Sequence, residues 1–301
     1  ECGRMADEKT SCVLRLFGAQ PGQLAGAVGQ FLPQWQASAQ WKSRGGETLL
    51  ALQAASPAGL KKAAQSLRAR LPDALYGAGD TSLAAAAVDA LEHHNKLLVC
   101  ADAAAGALLE QRLETVPGAE KVYDFGAVSY AHPKTGPLME KRARQRLERT
   151  PGREDDPARR VLARALAARR VVGAELSAAC GAGENGAQIL VLATRKGCWM
   201  RTVPAGENAA LWLLDLIRRA AAGLPQAEGT SFLPAHPQRR RGRRALLLLC
   251  LAALAVGGCW YATGGDWQLL LELPRRIRQQ GWEGVKDFWQ AYQPKAGVKL
   301  I

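Results

Sequence analysis

Residues 96–113 read KLLVCADAAAGALLEQRL, and this stretch decides the fold class. The apolar run after Lys96 predicts a short buried strand, and a helix is expected to begin near Gly106. The loop at residues 100–106 would then follow the carboxyl end of a strand, where ligands bind in open α/β sheets. The N-terminus of the next helix favours an anion such as phosphate. The stretch therefore predicts an α/β fold with a candidate site in this loop.

Helix and strand patterns alternate on both sides of this stretch. A predicted helix capped by Asp80 or Thr81 precedes it, and a helix capped by Asp156 with Pro157 at its first position follows it. The other predicted elements are strands at residues 122–130, 176–179, 188–193 and 197–203 and a last helix at 208–222. This alternation predicts a layered α/β sandwich domain over residues 77–224.

The residues before this domain have a pattern of their own. Strands are predicted at residues 12–17, 36–42 and 47–54, and helices at 21–32 and 60–71. The turn SRGG at residues 43–46 joins the second and third strands as a hairpin. We therefore expect a small βαββα module over residues 11–76.

Residues 245–262 read ALLLLCLAALAVGGCWYA, eighteen residues without a charged side chain. A helix of this length spans roughly 27 Å, close to the thickness of a bilayer hydrocarbon core. The run is apolar on all faces, unlike the one-sided stripe of a core helix, and it ends in Trp260 and Tyr261, residue types enriched at membrane interfaces. These features predict a single transmembrane helix.

The flanks of the apolar run predict its orientation. Residues 225–244 are rich in Pro and Arg, which is typical of a linker, and they end in RRRGRR. Positive residues stay on the cytoplasmic side, so we expect residues 1–244 to be cytoplasmic and 263–301 to lie outside a cell membrane. The arginines also favour contact with membrane lipid. The Trp-rich tail at 263–301 is either an amphipathic segment on the outer leaflet or the opening of a larger outer domain.

The composition excludes several other partners. The net charge is +13, but no aromatic-rich strand platform accompanies the basic groups, so we expect no nucleic acid. The seven cysteines include no CxxC pair and none lies at zinc spacing from a histidine. The sequence therefore predicts no metal and no cofactor, and it favours reduced, buried thiols.

Several short motifs of the sequence resemble those of one family. VPGAE at residues 116–120, GAVSY at 126–130 and ACGAGENG at 179–186 are similar to the C-terminal domain of the competence/damage-inducible protein CinA family. VLRLFGAQPGQL at 13–24 resembles the small module before that domain, so the likeness covers about residues 12–222. It implies nicotinamide-nucleotide amidohydrolase chemistry and a homo-oligomer. It also implies that a molybdopterin-binding-like domain precedes Glu1 in a longer protein.

The motifs of active family members are altered here. In a motif like ESCTGG the serine is the nucleophile, and its residues fall on positions 102–107 of this chain. The Glu becomes Asp102, the Ser, Cys and Thr become Ala103, Ala104 and Ala105, and of the two glycines only Gly106 remains. In a second motif, TGIAGP, the Thr becomes Ala179. The family Tyr matches Tyr130, whereas its Lys falls on Thr135 and Lys134 stands one residue early.

These departures lead us to expect a domain without catalytic residues. Acyl-enzyme hydrolysis of an amide needs a nucleophile, a base and an oxyanion site, which the alanines at the three vacated catalytic positions, Ala103, Ala105 and Ala179, do not supply. The residues expected to line a surviving pocket are Asp102, Gly106, Tyr130, Lys134, Gly181 and Gly183.

Three interpretations stay open at this point. The first is a membrane-anchored pseudoenzyme that binds a pyridine nucleotide or a protein partner. The second is a working nicotinamide-nucleotide amidohydrolase with a displaced nucleophile, for which Cys100 is the candidate. The third is a purely structural cytoplasmic handle for an attached domain.

Overall fold

The computed structural model describes residues 10–125, 129–149 and 156–235, together with the isolated positions 278, 283 and 286. The chain divides into two units, Glu1–Ala235 and His236–Ile301, and both sheets belong to the first unit. Among the described residues, no helix has both the length and the apolar character needed to cross a membrane. The predicted membrane segment at 245–262 lies outside the described residues, as does the tail at 263–301 apart from the three isolated positions.

The first part of this unit is a four-stranded antiparallel sheet with two helices. Its elements in chain order are β1 (Ser11–Phe17), α1 (Pro21–Phe31), β2 (Ala37–Arg44), β3 (Glu47–Ala54), α2 (Pro57–Arg70) and β4 (Leu75–Ala78). The strand order is β2-β3-β1-β4. In β3, Leu50 and Leu52 are buried while Leu49 and Ala51 are exposed, so the sequence alternates as a half-buried strand requires.

The fourth strand corrects the predicted βαββα order. Strand β4 follows α2 and pairs with β1, with Ala78 opposite Leu14, so the sheet has an additional edge strand. The residues of β4, LYGA, are all partly buried and show no alternation between buried and exposed positions. The periodicity on which a strand prediction depends is therefore absent there.

The second part contains a five-stranded sheet with helices on both faces. Its elements in chain order are α3 (Leu83–His93), β5 (Leu98–Cys100), α4 (Ala103–Leu113), α5 (Ala119–Val122), α6 (Thr135–Arg149), α7 (Pro157–Val172), β6 (Leu176–Ala182), β7 (Gln188–Ala193), β8 (Gly197–Val203), α8 (Ala209–Ala222) and β9 (Thr230–Pro234). The strand order is β5-β6-β7-β8-β9. Strands β5 and β6 are parallel, and the other pairs are antiparallel.

Side chains of the central strands alternate between two cores. In β7, Leu190 and Leu192 pack in a core formed with α3, α4 and α8, whereas Val191 and Ala193 pack in a second core formed with α7. The sheet is thus covered by helices on each face, which confirms the predicted α/β sandwich.

Residues 122–130 differ from the predicted strand. Helix α5 ends at Val122, and Tyr123 forms an isolated parallel bridge with Leu98. Residues 126–128 lie outside the described part of the chain. The side chain of Tyr123 is buried in the core rather than aligned in a regular strand.

The predicted linker at 225–244 contains a strand near its start. Strand β9 pairs with β8, with Phe232 opposite Trp199, and the centroids of these two rings lie 4.4 Å apart. The sequence predicts that Gly229 and Pro234 are loop residues. Pro234 instead ends an edge strand, a position where a missing N–H is tolerated.

Two helices begin at positions that differ from the prediction. Helix α3 is capped by the side chain of Ser82 rather than by Asp80 or Thr81. Helix α4 begins at Ala103, three residues before the predicted start, because the side chain of Asp102 caps it there. The second difference places the whole alanine-rich motif inside the first turn of a helix.

Candidate functional site

Asp102 lies between β5 and α4, and its carboxylate accepts hydrogen bonds from the backbone of α4 and of β6. Its Oδ1 accepts a hydrogen bond from the N–H of Ala105 at 2.9 Å, and both carboxylate oxygens accept from the N–H of Cys180 at 3.3 Å. Burial raises the pKa of Asp102, while these backbone bonds and the charge of Arg164 act in the opposite direction. The N-terminus of α4, where the sequence predicts an external anion, is therefore capped by an internal carboxylate.

The three positions that the resemblance marks as vacated lie in different environments. Ala103 is exposed at the first position of α4. Ala105 and Ala179 are fully buried, each in one of the two cores. A methyl group neither attacks a carbonyl carbon nor exchanges a proton, so none of these positions supplies the chemistry of an acyl transfer.

Four polar side chains beside the loop form a hydrogen-bonded chain. The Sγ of Cys100 lies 3.1 Å from the hydroxyl oxygen of Tyr123. The hydroxyls of Tyr123 and Tyr130 both donate to Oε1 of Glu110, at 3.5 and 3.2 Å. The family tyrosine, Tyr130, is thus bonded to a carboxylate on α4.

The protonation of this polar chain follows from its burial. Burial raises the pKa of the Cys100 thiol to about 12, although the hydrogen bond with Tyr123 lowers it in part. Burial also raises the pKa of Tyr130 to about 12, and the charge of Glu110 adds to this effect. At neutral pH both groups are therefore protonated, and Cys100 lacks the thiolate that a nucleophilic cysteine needs.

Gly106 allows Tyr130 to approach α4 closely. A Cβ added at Gly106 would collide with the Tyr130 hydroxyl, and the nearest atom of any other residue would be Oε1 of Glu110 at 3.0 Å. Because Gly106 lies one helical turn before Glu110, it leaves open the path by which the tyrosine reaches that carboxylate. This glycine therefore determines where the Tyr130 hydroxyl lies.

An open cavity of about 510 Å³ lies next to this arrangement. The residues of its lining that carry polar chemistry are Asp102, Tyr130, Glu140 and Arg164. Ala101 and Met139 add apolar surface to the same lining. The cavity thus offers a cation, an aromatic ring and two carboxyl groups to a bound molecule.

The structure brings some of the predicted pocket residues together and leaves others apart. Asp102 and Tyr130 line the cavity, and Gly106 contacts Tyr130. The exposed Lys134 is in a turn, where its N–H donates to Nδ1 of His132. Gly181 lies against Val161 and Gly183 against Ile189. In the described part of the chain, these last three predicted residues are not in the lining.

Four residues of the site were not identified from the sequence. Glu110 could have been found by helical spacing, since it lies seven positions after Ala103 and four after Gly106. The sequence places Tyr123 in a predicted strand rather than in the core. Glu140 and Arg164 come from α6 and α7, and no local signal connects these helices with the loop at residues 100–106.

Among the described residues, the acidic and sulfur-bearing side chains do not assemble into a metal centre. Across residues 10–125, 129–149 and 156–235, no cluster of three or more His, Cys, Asp or Glu side chains could hold a metal ion. The arrangement that these residues do form is a hydrogen-bonded polar network beside the start of α4.

Comparisons with known proteins converge on one family. Residues 80–181 match the family model of the CinA C-terminal domain. A CinA-like protein of Desulfovibrio desulfuricans is 35% identical over 72 residues, 24% of this chain, and one of Dictyoglomus thermophilum is 34% identical over 71 residues, also 24% of this chain. Each alignment covers 17% of the relative, so the match spans about a sixth of these relatives' length.

A solved structure of a competence-damaged protein (CinA) superfamily member from Escherichia coli also matches. The TM-score is 0.32 and the identity 18%, with 47% of this chain and 85% of that chain covered. The family model and the two relatives in sequence carry the assignment. Residues 80–181 of the chain therefore match the CinA C-terminal domain.

Proposed function

We propose that this chain is a membrane-anchored CinA-type domain that has no amidohydrolase activity and binds a pyridine nucleotide. One observation carries the proposal. Helix α4 begins with Ala103, so a methyl group stands where the family resemblance expects the nucleophilic serine hydroxyl. Loss of a nucleophile removes about 10⁴–10⁶ of the rate in enzymes that use one.

Cys100 is a poor replacement for the missing hydroxyl. Its side chain is fully buried, its Sγ bonds with the hydroxyl of Tyr123, and its pKa is raised to about 12. A displaced nucleophile would need both access to the substrate and a thiolate at neutral pH. This environment argues against a working amidohydrolase based on Cys100.

The cavity beside Asp102 supports ligand binding. Its volume of about 510 Å³ falls within the range of small-molecule sites. Arg164 in its lining is suited to a phosphate, because a guanidinium donates two parallel hydrogen bonds to such an anion. Tyr130 offers a ring face to a pyridine, so the cavity fits the chemistry of a nicotinamide mononucleotide.

A second candidate function is a structural handle. It is favoured by the internal cap on α4, where Asp102 occupies the helix start that would otherwise attract a phosphate. In that case the polar network would serve folding alone, and the domain would carry an attached part of the protein.

The membrane anchorage rests on residues 245–262 and their flanks. The proposal places residues 1–244 in the cytoplasm and 263–301 outside. It predicts that alkaline carbonate leaves the full chain in the membrane pellet, whereas residues 1–235 expressed alone would be recovered in the supernatant. Extraction of the full chain by alkaline carbonate would contradict the membrane anchorage and would leave the proposal on catalysis unaffected.

The catalytic proposal is tested by ammonia release from nicotinamide mononucleotide. We expect no release above background from the detergent-solubilised full chain. Turnover that persists in Cys100→Ala would refute the loss of catalysis, and turnover abolished by that change would identify a displaced nucleophile.

Binding is tested with the same ligand by thermal denaturation. A ligand at 100 times its Kd stabilises the fold by about 2.7 kcal/mol. We expect stabilisation that Arg164→Gln reduces and that Arg160→Gln leaves intact, since Arg160 is an exposed arginine of the same helix outside the lining. No shift with nicotinamide mononucleotide would favour the structural handle.

A further inference from the structure

A second cavity, of about 580 Å³, lies between α6 and α7 and is separate from the site beside Asp102. The arginines Arg142, Arg146 and Arg170 line it, and we call this cavity the arginine groove. Residues four apart on a helix share a face, which brings Arg142 and Arg146 together on α6. Two neighbouring helices thus direct three guanidinium-bearing residues to one cavity.

The surroundings of the arginine groove are strongly basic. Helix α7 contains five arginines and no acidic residue, and α6 contains five basic residues and two glutamates. The lining contains no carboxylate among the residues that the structure describes there. Burial lowers the pKa of Arg146, and the nearby charge of Arg170 lowers it further. Like charges held this close favour a bound anion.

The same cavity also has an apolar part. Leu138, Leu166 and Val171 line it beside the arginines. Leu138 is 42% exposed, so a large apolar residue faces solvent at a basic cavity. A small inorganic anion would leave this surface uncovered, whereas a molecule with a charged head and an apolar body would cover both parts.

We propose that the arginine groove binds the headgroup of an anionic phospholipid. A guanidinium forms paired hydrogen bonds with phosphate oxygens, and the glycerol and upper acyl carbons would contact Leu138 and Val171. The inference rests on the proposed membrane anchorage, since only nine residues lie between Ala235 and Ala245, ten Cα–Cα steps along the chain. An extended chain of that length spans at most about 36 Å, which would keep the domain near a lipid surface.

The test uses the full chain in an uncharged detergent, so that binding does not depend on anchorage. Dihexanoyl phosphatidylglycerol, dihexanoyl phosphatidylcholine and inorganic phosphate are titrated separately by calorimetry. The groove variant R142Q/R146Q/R170Q is compared with K141Q/R144Q/R160Q. The control removes the same charge from exposed positions of the same two helices outside the lining.

We expect phosphatidylglycerol to bind and phosphatidylcholine not to bind. The groove variant should bind phosphatidylglycerol roughly 100-fold more weakly, since each basic residue near a lipid contributes about fivefold. The control variant should bind like the parent. If the triple variant unfolds, Arg170→Gln alone changes one exposed residue and should cost about fivefold.

Three outcomes would overturn the proposal. Equal losses in the groove and control variants would show diffuse attraction to the basic helices. Binding of phosphatidylcholine as tight as that of phosphatidylglycerol would show that the groove does not require an anionic headgroup. Binding of inorganic phosphate as tight as that of the lipid would assign the groove to a soluble phosphate. Failure of carbonate retention with intact phosphatidylglycerol binding would instead refute only the anchorage.

Discussion

Arg219 and Asp215 form an ion pair in which Nε and Oδ2 lie 2.7 Å apart and both side chains are 1% exposed. Both residues are on α8, and further contacts of Arg219 connect this helix to the part of the chain that forms the small sheet. Arg219 also donates to the carbonyl oxygen of Phe17 at 2.8 Å and to Oδ2 of Asp73 at 3.1 Å. Arg218 adds a second guanidinium, 2.6 Å from Asp215. The Asp215 carboxylate is thus paired with two guanidinium groups where α8 meets the end of β1.

We expect Arg219→Ala to lower the free energy of unfolding by about 3–5 kcal/mol, because it leaves a buried carboxylate with one partner fewer. The control is Arg195→Ala. Arg195 lies 3.1 Å from Glu175, but its side chain is 76% exposed, so the loss should stay below about 1 kcal/mol. Urea denaturation of both variants measures the difference, and equal losses would show that burial of the first pair has no energetic consequence.

The environment of Cys100 predicts an inert thiol. Its full burial and its pKa near 12 should prevent alkylation by iodoacetamide at pH 7.5 in the native protein. Cys12 is the internal reference, because it is only partly buried. Mass spectrometry should find Cys100 labelled at least about tenfold more slowly than Cys12 natively, with the two equal in urea. Native labelling of Cys100 at the Cys12 rate would reopen the displaced-nucleophile interpretation.

Gly106 provides a test of the contact between Tyr130 and α4. Gly106→Ala places a methyl group on the Tyr130 hydroxyl, so the ring must leave Glu110. We expect a loss of about 1–3 kcal/mol in the free energy of unfolding, the usual cost of overpacking. Gly26→Ala in α1 is the matched control, since a Cβ at Gly26 meets no atom within 4 Å.

The control substitution should be neutral or stabilising by up to about 1 kcal/mol, because alanine has the higher helix propensity. The tyrosine absorbance spectrum gives a second measurement. Release of Tyr130 from its partly buried contact with the Glu110 carboxylate should lower its pKa toward that of an ordinary phenol. A Gly106→Ala protein as stable as the parent, with the midpoint unchanged, would refute the contact.

The sequence predicts the elements that carry their own local signals. Asp156 followed by Pro157 marks the start of α7, and Oδ1 of Asp156 does accept from the N–H of Ala158 at 3.0 Å. Strand β3 is predicted from its alternation. Strands β4 and β9 are not predicted, because each is a short edge strand whose existence depends on pairing with a partner elsewhere in the chain.

The same distinction holds for the candidate site. Asp102 and Tyr130 lie in recognisable motifs and are predicted as pocket residues. In the structure both of them line the cavity. Arg164 is on a helix whose arginines look alike in sequence, and only the packing of α7 on the sheet directs one of them to the cavity. Residues that tertiary packing selects from a uniform set cannot be distinguished by local pattern.

The cap on α4 gives a prediction for the dependence of stability on pH. The pKa of Asp102 is raised in the folded state, so the folded chain holds this proton more tightly than the unfolded chain. The stability that the group contributes is then present at low pH and is lost as pH rises from the unfolded value of about 3.9 through the folded value. Asp102→Asn removes this titration and keeps a side-chain oxygen for the N–H of Ala105 and of Cys180.

We therefore expect Asp102→Asn to gain stability relative to the parent between pH 4 and pH 7, with little difference at pH 4. Asp102→Ala should lose about 1–2 kcal/mol at all these values, because the cap is gone. Asp156→Ala, which removes the cap of α7, is the control for a cap with no buried second partner, and its loss should be smaller. Urea denaturation at several pH values measures all three. A parent that becomes more stable than Asp102→Asn as pH rises would mean that hydrogen bonding outweighs burial and that the pKa of this carboxylate is lowered instead.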